Sequence, residues 1–74
     1  MKRLAAKLAK EHLIKFGIRK DFYKYRFVSI KRYDSKSFQA DVALYNNTTD
    51  TYVNVKMVVN ESGDVLEISR PYFS

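Results

Sequence analysis

The chain has 74 residues, no cysteine, and fourteen Lys or Arg against eight Asp or Glu, a net charge of +6. That length makes one domain with a thin core, and the missing thiols exclude a disulfide framework or a thiolate metal site. No apolar run approaches the length of a membrane span, and no continuous apolar stretch follows the basic N-terminus, so neither a spanning helix nor a signal peptide is expected. The expected setting is cytoplasmic, with a secreted mature domain left open.

The charge is unevenly spread. Residues 1–36 hold twelve Lys or Arg against Glu11, Asp21 and Asp34, giving +9, whereas residues 37–74 hold Lys56 and Arg70 against five acids, giving −3. Such asymmetry suits an anionic partner, and a solvated surface that keeps a small protein in solution is the competing reading.

Residues 2–16 predict an amphipathic helix. At about 100° per residue, Met1, Leu4, Ala5, Leu8, Ala9, His12, Leu13 and Phe16 share one broad arc, opposite Arg3, Lys7, Lys10 and Glu11. Gly17 follows and suits a left-handed C-terminal cap. From Phe22 onward the period changes to two. Strands are predicted over 23–32, 37–45, 51–60 and 65–70, separated by short turn-rich loops that force antiparallel neighbours. Pro71 ends the last strand. The expected fold class is therefore α+β: a single N-terminal helix packed on an antiparallel four-stranded meander.

Alternation places Val28, Ile30, Phe38, Ala40, Val42, Leu44, Val53, Val55, Met57, Val59, Leu66 and Ile68 on the inner face. Pairing Leu44 with Val53 sets Asp41 against Lys56 and Tyr45 against Tyr52 on the outer face, both favourable cross-strand partners. The last hairpin is open between two registers, one keeping Leu66 and Ile68 inside and one flipping the strand. The outer face is left with Phe27, Tyr45, Tyr52, Val58 and Val65. One helix covers one face, so a partner or the tail 71–74 is needed over the other.

One helix ahead of an antiparallel meander resembles the cystatin-like architecture, including small PepSY-type domains. The run Leu4-Ala5-Ala6-Lys7-Leu8-Ala9-Lys10-Glu11-His12 is similar to the helix of plant cystatins. The stretch 53–60, Val-Asn-Val-Lys-Met-Val-Val-Asn, followed by Gly63-Asp64-Val65-Leu66, is similar to the closing hairpin of PepSY-type domains. Cystatins carry a Gln-x-Val-x-Gly wedge between their first two long strands. Here that turn reads Arg32-Tyr33-Asp34-Ser35-Lys36, so the resemblance implies a shape and a binding role without protease inhibition.

No catalytic constellation is visible. His12 is the single histidine and falls inside the apolar arc, where a packed or hydrogen-bonded structural role is expected. The carboxylates are scattered, mostly in turns, and no metal, cofactor or phosphate-loop spacing is present. Two binding readings remain. The first is a non-enzymatic module that docks a protein partner, or forms a homodimer, through Phe27, Tyr45, Tyr52, Val58, Val65 and an edge strand, in the manner of a phage or mobile-element accessory factor. The alternative is a nucleic-acid-binding protein using Arg19, Lys20, Lys24, Arg26, Lys31 and Arg32, interleaved with aromatic residues. Strict alternation would split Tyr23, Tyr25 and Phe27 from Lys24 and Arg26; only a bulge, or the strand's twisted start, brings both types to one ligand.

Overall fold

The computed structural model describes residues 2–73, with the backbone only at Lys20 and Phe27; Met1 lies outside the described residues. Helix α1 spans Lys2–Ile14, a short 3-10 turn spans Lys20–Phe22, and five strands follow: β1 Lys24–Arg32, β2 Ser37–Asn46, β3 Thr51–Asn60, β4 Val65–Ile68 and β5 Tyr72–Phe73. The sheet is antiparallel in the order β1-β2-β3-β4, and β5 pairs with β3 beyond the end of β4.

Helix α1 stops where the capping residue allows. Gly17 has φ 73°. Its amide donates to the Ile14 carbonyl at 3.1 Å, and the Ile18 amide donates to the Leu13 carbonyl at 3.1 Å. This is the Schellman arrangement, and Leu13 and Ile18 both pack on the core. The helix ends before Phe16, which is therefore exposed and not on the core as its position on the wheel implied. The buried face is Ala5, Ala6, Ala9 and Leu13. Three alanines in that face let the helix lie close to the sheet.

Strands β2 and β3 pair in the expected register, Leu44 with Val53, Asp41 with Lys56 and Tyr45 with Tyr52. Ala40, Val42, Leu44, Val53, Val55, Met57 and Val59 are buried, with Val28, Ile30, Phe38 and Ile68 half-buried against them. Asparagines close two of the turns. The Asn46 side chain accepts from the amides of Thr48 and Thr49, and that of Asn60 accepts from Ser62 and Asp64. The Gly63 turn, with φ 87°, leaves only 3.0 Å between an added Cβ and the Leu4 side chain, so this hairpin and α1 pack directly.

Three expectations need correction. Leu66 is 56% exposed, not inside, because β4 carries an extra residue there: Glu67 pairs with Val58 but Val65 pairs with Val59. Val65 accordingly stands opposite an inner-face residue and not on the outer face. Val58 does face outward but is buried, since it sits on a central strand between Gln39 and Glu67, whose long side chains flank it. The tail, left open as a cover for the outer face, pairs along the edge of β3, with Tyr72 opposite Asn54 and Phe73 opposite Val53, and Tyr72 borders an outer-face depression with Asp41, Ala43 and Asn54.

The β1–β2 turn is held by Asp34. Its carboxylate accepts from the Ser37 hydroxyl at 2.7 Å and from the Lys36 amide at 2.8 Å. These bonds, led by that from Ser37, hold the carboxyl below its ordinary value of 3.8. A group bound less tightly to its proton when folded adds stability above its unfolded pKa and loses it as pH falls through the lower folded value. The stability difference between wild type and Asp34→Asn should therefore be constant above about pH 5 and shrink below pH 4. Melting curves from pH 6 to 2 read this directly, and a difference that stays flat into acid would show that the turn does not depend on the ionised carboxylate.

Candidate functional site

The first strand does not alternate evenly, and its irregularity builds the site. Lys24 pairs with Tyr45 and Tyr25 with Leu44, but Phe27 pairs with Ala43, leaving Arg26 as a bulge. The bulge reverses the facing of everything before it. Tyr25 joins the inner side opposite Leu44, Lys24 joins the outer side opposite Tyr45, and Tyr23 is buried in the core. Tyr23, Tyr25 and Phe27 therefore do not share one face. The physical reason is desolvation: without the bulge, Lys24 and Arg26 would point at the helix, where a charge is costly to bury. The rings take those positions instead, and the Lys10 ammonium lies 5.6 Å from the Tyr25 ring centroid.

The chain reaches this point through the 3-10 turn, which the Phe22 amide closes by donating to the Arg19 carbonyl at 3.1 Å. The Arg19 guanidinium stands 5.0 Å from the centroid of Phe22, whose ring is half exposed. Phe22, Lys24, Tyr25, Arg26 and Tyr45 then border one cleft, which Asp21, Asn47 and Thr48 complete. It encloses about 370 Å3, at the small end of ligand sites. Two cations and three aromatic rings thus converge at one end of the sheet.

Tyr45 is held from the far side. Its hydroxyl donates to the Asp50 carboxylate at 2.7 Å, and its ring lies 4.9 Å from that of Tyr52 at 44°. The bond to Asp50 raises the phenol above its ordinary 10.0, while Arg26 pulls weakly the other way. Tyr45 therefore stays neutral at physiological pH, with a fixed ring plane. Asp50 can make this contact because it takes a left-handed φ of 52° in the turn.

The remaining predicted residues separate. Lys31 and Arg32 are at the other end of β1, where Arg32 stacks 4.7 Å from the Phe38 ring and reaches the carbonyls of Asp34 and Ser35. The side chains of Lys20 and Phe27 lie outside the described residues. Of the outer-face set, Tyr45 and Tyr52 are adjacent and half-buried, Val58 is buried, and Val65 stands apart. A shallower depression of about 600 Å3 on the outer face mixes Lys56 with Glu67 and Gln39, so it favours no sign of charge. Tyr45, expected on the outer face as a docking residue, also borders the cleft with Lys24 and Arg26, whereas Phe22 is not among the expected site residues.

His12 has a structural partner. Its Nε2 donates to the Ser69 carbonyl at 3.0 Å, and its ring meets Phe16 edge-on at 5.0 Å. Ser69 also caps the break between β4 and β5: its amide donates to the Lys56 carbonyl at 2.8 Å, and its hydroxyl accepts from the Lys56 amide at 3.0 Å. Among the described residues, no group of three or more His, Asp or Glu could hold a metal ion, and no helix is long and apolar enough to cross a membrane.

One N-terminal helix on an antiparallel sheet makes this an α+β protein, with a cation-and-ring cleft where β1 enters the sheet. No family model, curated protein or solved structure matches the chain.

Proposed function

We propose that this protein is a small non-catalytic module that binds single-stranded nucleic acid in the cleft at the start of β1. The carrying observation is the bulge at Arg26, which sets Lys24 and Arg26 beside the rings of Phe22, Tyr25 and Tyr45. Cations neutralise phosphates, and exposed rings stack on unpaired bases for roughly 1–3 kcal/mol each. A duplex hides the faces of its bases and would use only the cations. The basic first half of the chain adds a field that draws a polyanion toward this end. A non-catalytic role is supported by the single histidine being tied to Ser69. The cystatin-like comparison rests on layout, a helix ahead of an antiparallel sheet, and the turn at 33–36 is a tight Asp34-closed one with no wedge.

Fluorescence anisotropy with a labelled oligothymidylate tests this reading. Affinity should fall steeply between 50 and 200 mM salt, at roughly that range's usual dependence for phosphate contacts, and duplex of equal length should bind more weakly. Equal binding of duplex, or equal competition by polyglutamate, which offers charge without bases, would overturn it. A second reading, a protein partner or second copy docked on the outer face, is favoured by the adjacent, half-buried Tyr45–Tyr52 pair. Capture from lysate that survives nuclease and high salt supports that second reading against the first.

A further inference from the structure

We infer that α1 forms the second wall of the binding track, so that a single strand lies along the seam between α1 and β1 and the helix supplies phosphate contacts. This rests on the single-strand reading above and extends it to residues on another element. The cleft of Phe22 and Tyr45 does not end at β1. Tyr25 and Arg26 also border a second depression, whose opposite side is Lys2 and Arg3 at the start of α1. Lys24 and Asp21 border a third, whose opposite side is Lys10. The first and second share Tyr25 and Arg26, the first and third share Asp21 and Lys24, and Lys10 of the third lies 5.6 Å from the Tyr25 ring centroid.

The seam therefore carries Lys2, Arg3 and Lys10 on one wall and Lys24 and Arg26 on the other. Asp21 is the carboxylate lining it. A groove with cations on both walls and a ring at its centre matches an extended strand, whose phosphates run outside and whose bases can turn inward. It also gives α1 a use for its charge. Lys2 and Arg3 sit at the positive end of the helix dipole, where cations are unfavourable and acids are preferred. Binding an anion there relieves that cost. Lys31 and Arg32, at the far end of β1, are off this path.

The test compares two charge-matched triple variants of the full chain. Lys2→Ser, Arg3→Ser and Lys10→Gln together remove three cations from the helix wall. Lys31→Ser, Lys36→Ser and Arg70→Ser remove three from elsewhere. Both are checked by circular dichroism for retained fold. Each single-strand phosphate contact contributes about 0.7 to the slope of log affinity against log salt. The helix-wall variant should lose at least tenfold in oligothymidylate affinity and about 2 in slope. The control should change less than threefold. A helix-wall variant within threefold of wild type, in a protein that still needs Lys24 and Arg26, overturns the inference and leaves the cleft reading standing. Equal losses in both triple variants overturn both, because binding would then follow net charge and not a site.

Discussion

Leu13→Ala is expected to destabilise the protein by about 2–5 kcal/mol, the usual range for emptying a well-packed leucine site. Leu13 is 0% exposed and packs in the same core as Val42, Leu44, Val53 and Val55. Its position also ends α1: its carbonyl accepts from the amides of Phe16 and Ile18. A domain of this size has roughly 4–11 kcal/mol in total, so the substitution removes a large part of it. The melting temperature should fall by about 10 °C or more. Ile14→Ala, one residue on and mostly exposed, should change stability by no more than about 0.5 kcal/mol. Thermal melts of the two variants side by side check this, and equal effects would mean that α1 does not bury the face described.

Lys24→Ser with Arg26→Ser is expected to weaken oligothymidylate binding at least tenfold and to lower the salt slope by about 1.4, two phosphate contacts' worth. Both side chains are exposed, so the melting temperature should hold. Tyr25→Ser in the wild-type background should cost roughly 1–3 kcal/mol of binding, as for a lost stacking ring, with little change in slope. Anisotropy titrations at three salt concentrations separate the two effects. A double variant that binds like wild type would remove the cleft as the site. A Tyr25 variant that changes the slope and not the affinity would remove stacking from the account.

Much of this architecture follows from local patterns. The spacing of Ala5, Ala9 and Leu13 marks the helix face, and Gly17 marks its end because a left-handed φ costs least in a residue without Cβ. The β2–β3 register follows from one alternation and two outer pairs, Asp41 with Lys56 and Tyr45 with Tyr52, since a slip by one residue would expose every buried valine. His12 lies on the apolar arc, and its bond to Ser69 connects residues 57 apart that no local pattern relates.

What the sequence by itself determined was the class of fold, the central hairpin and the uneven charge, because each depends on a repeating pattern or on composition. Tertiary structure decided where the pattern breaks. At Arg26 the extra residue puts Tyr23 in the core and the half-exposed Tyr25 on the helix side in place of Lys24 and Arg26, so neither charge is desolvated beneath the helix. At Leu66 the extra residue moves Val65 opposite Val59 and leaves Leu66 in solvent. Tyr72 and Phe73 find β3 because β4 ends early and leaves its edge unpaired. The cleft depends on the first of these breaks. A bulge is set by competition between burying a ring and desolvating a charge across elements distant in sequence, and neither strand's own period contains that competition.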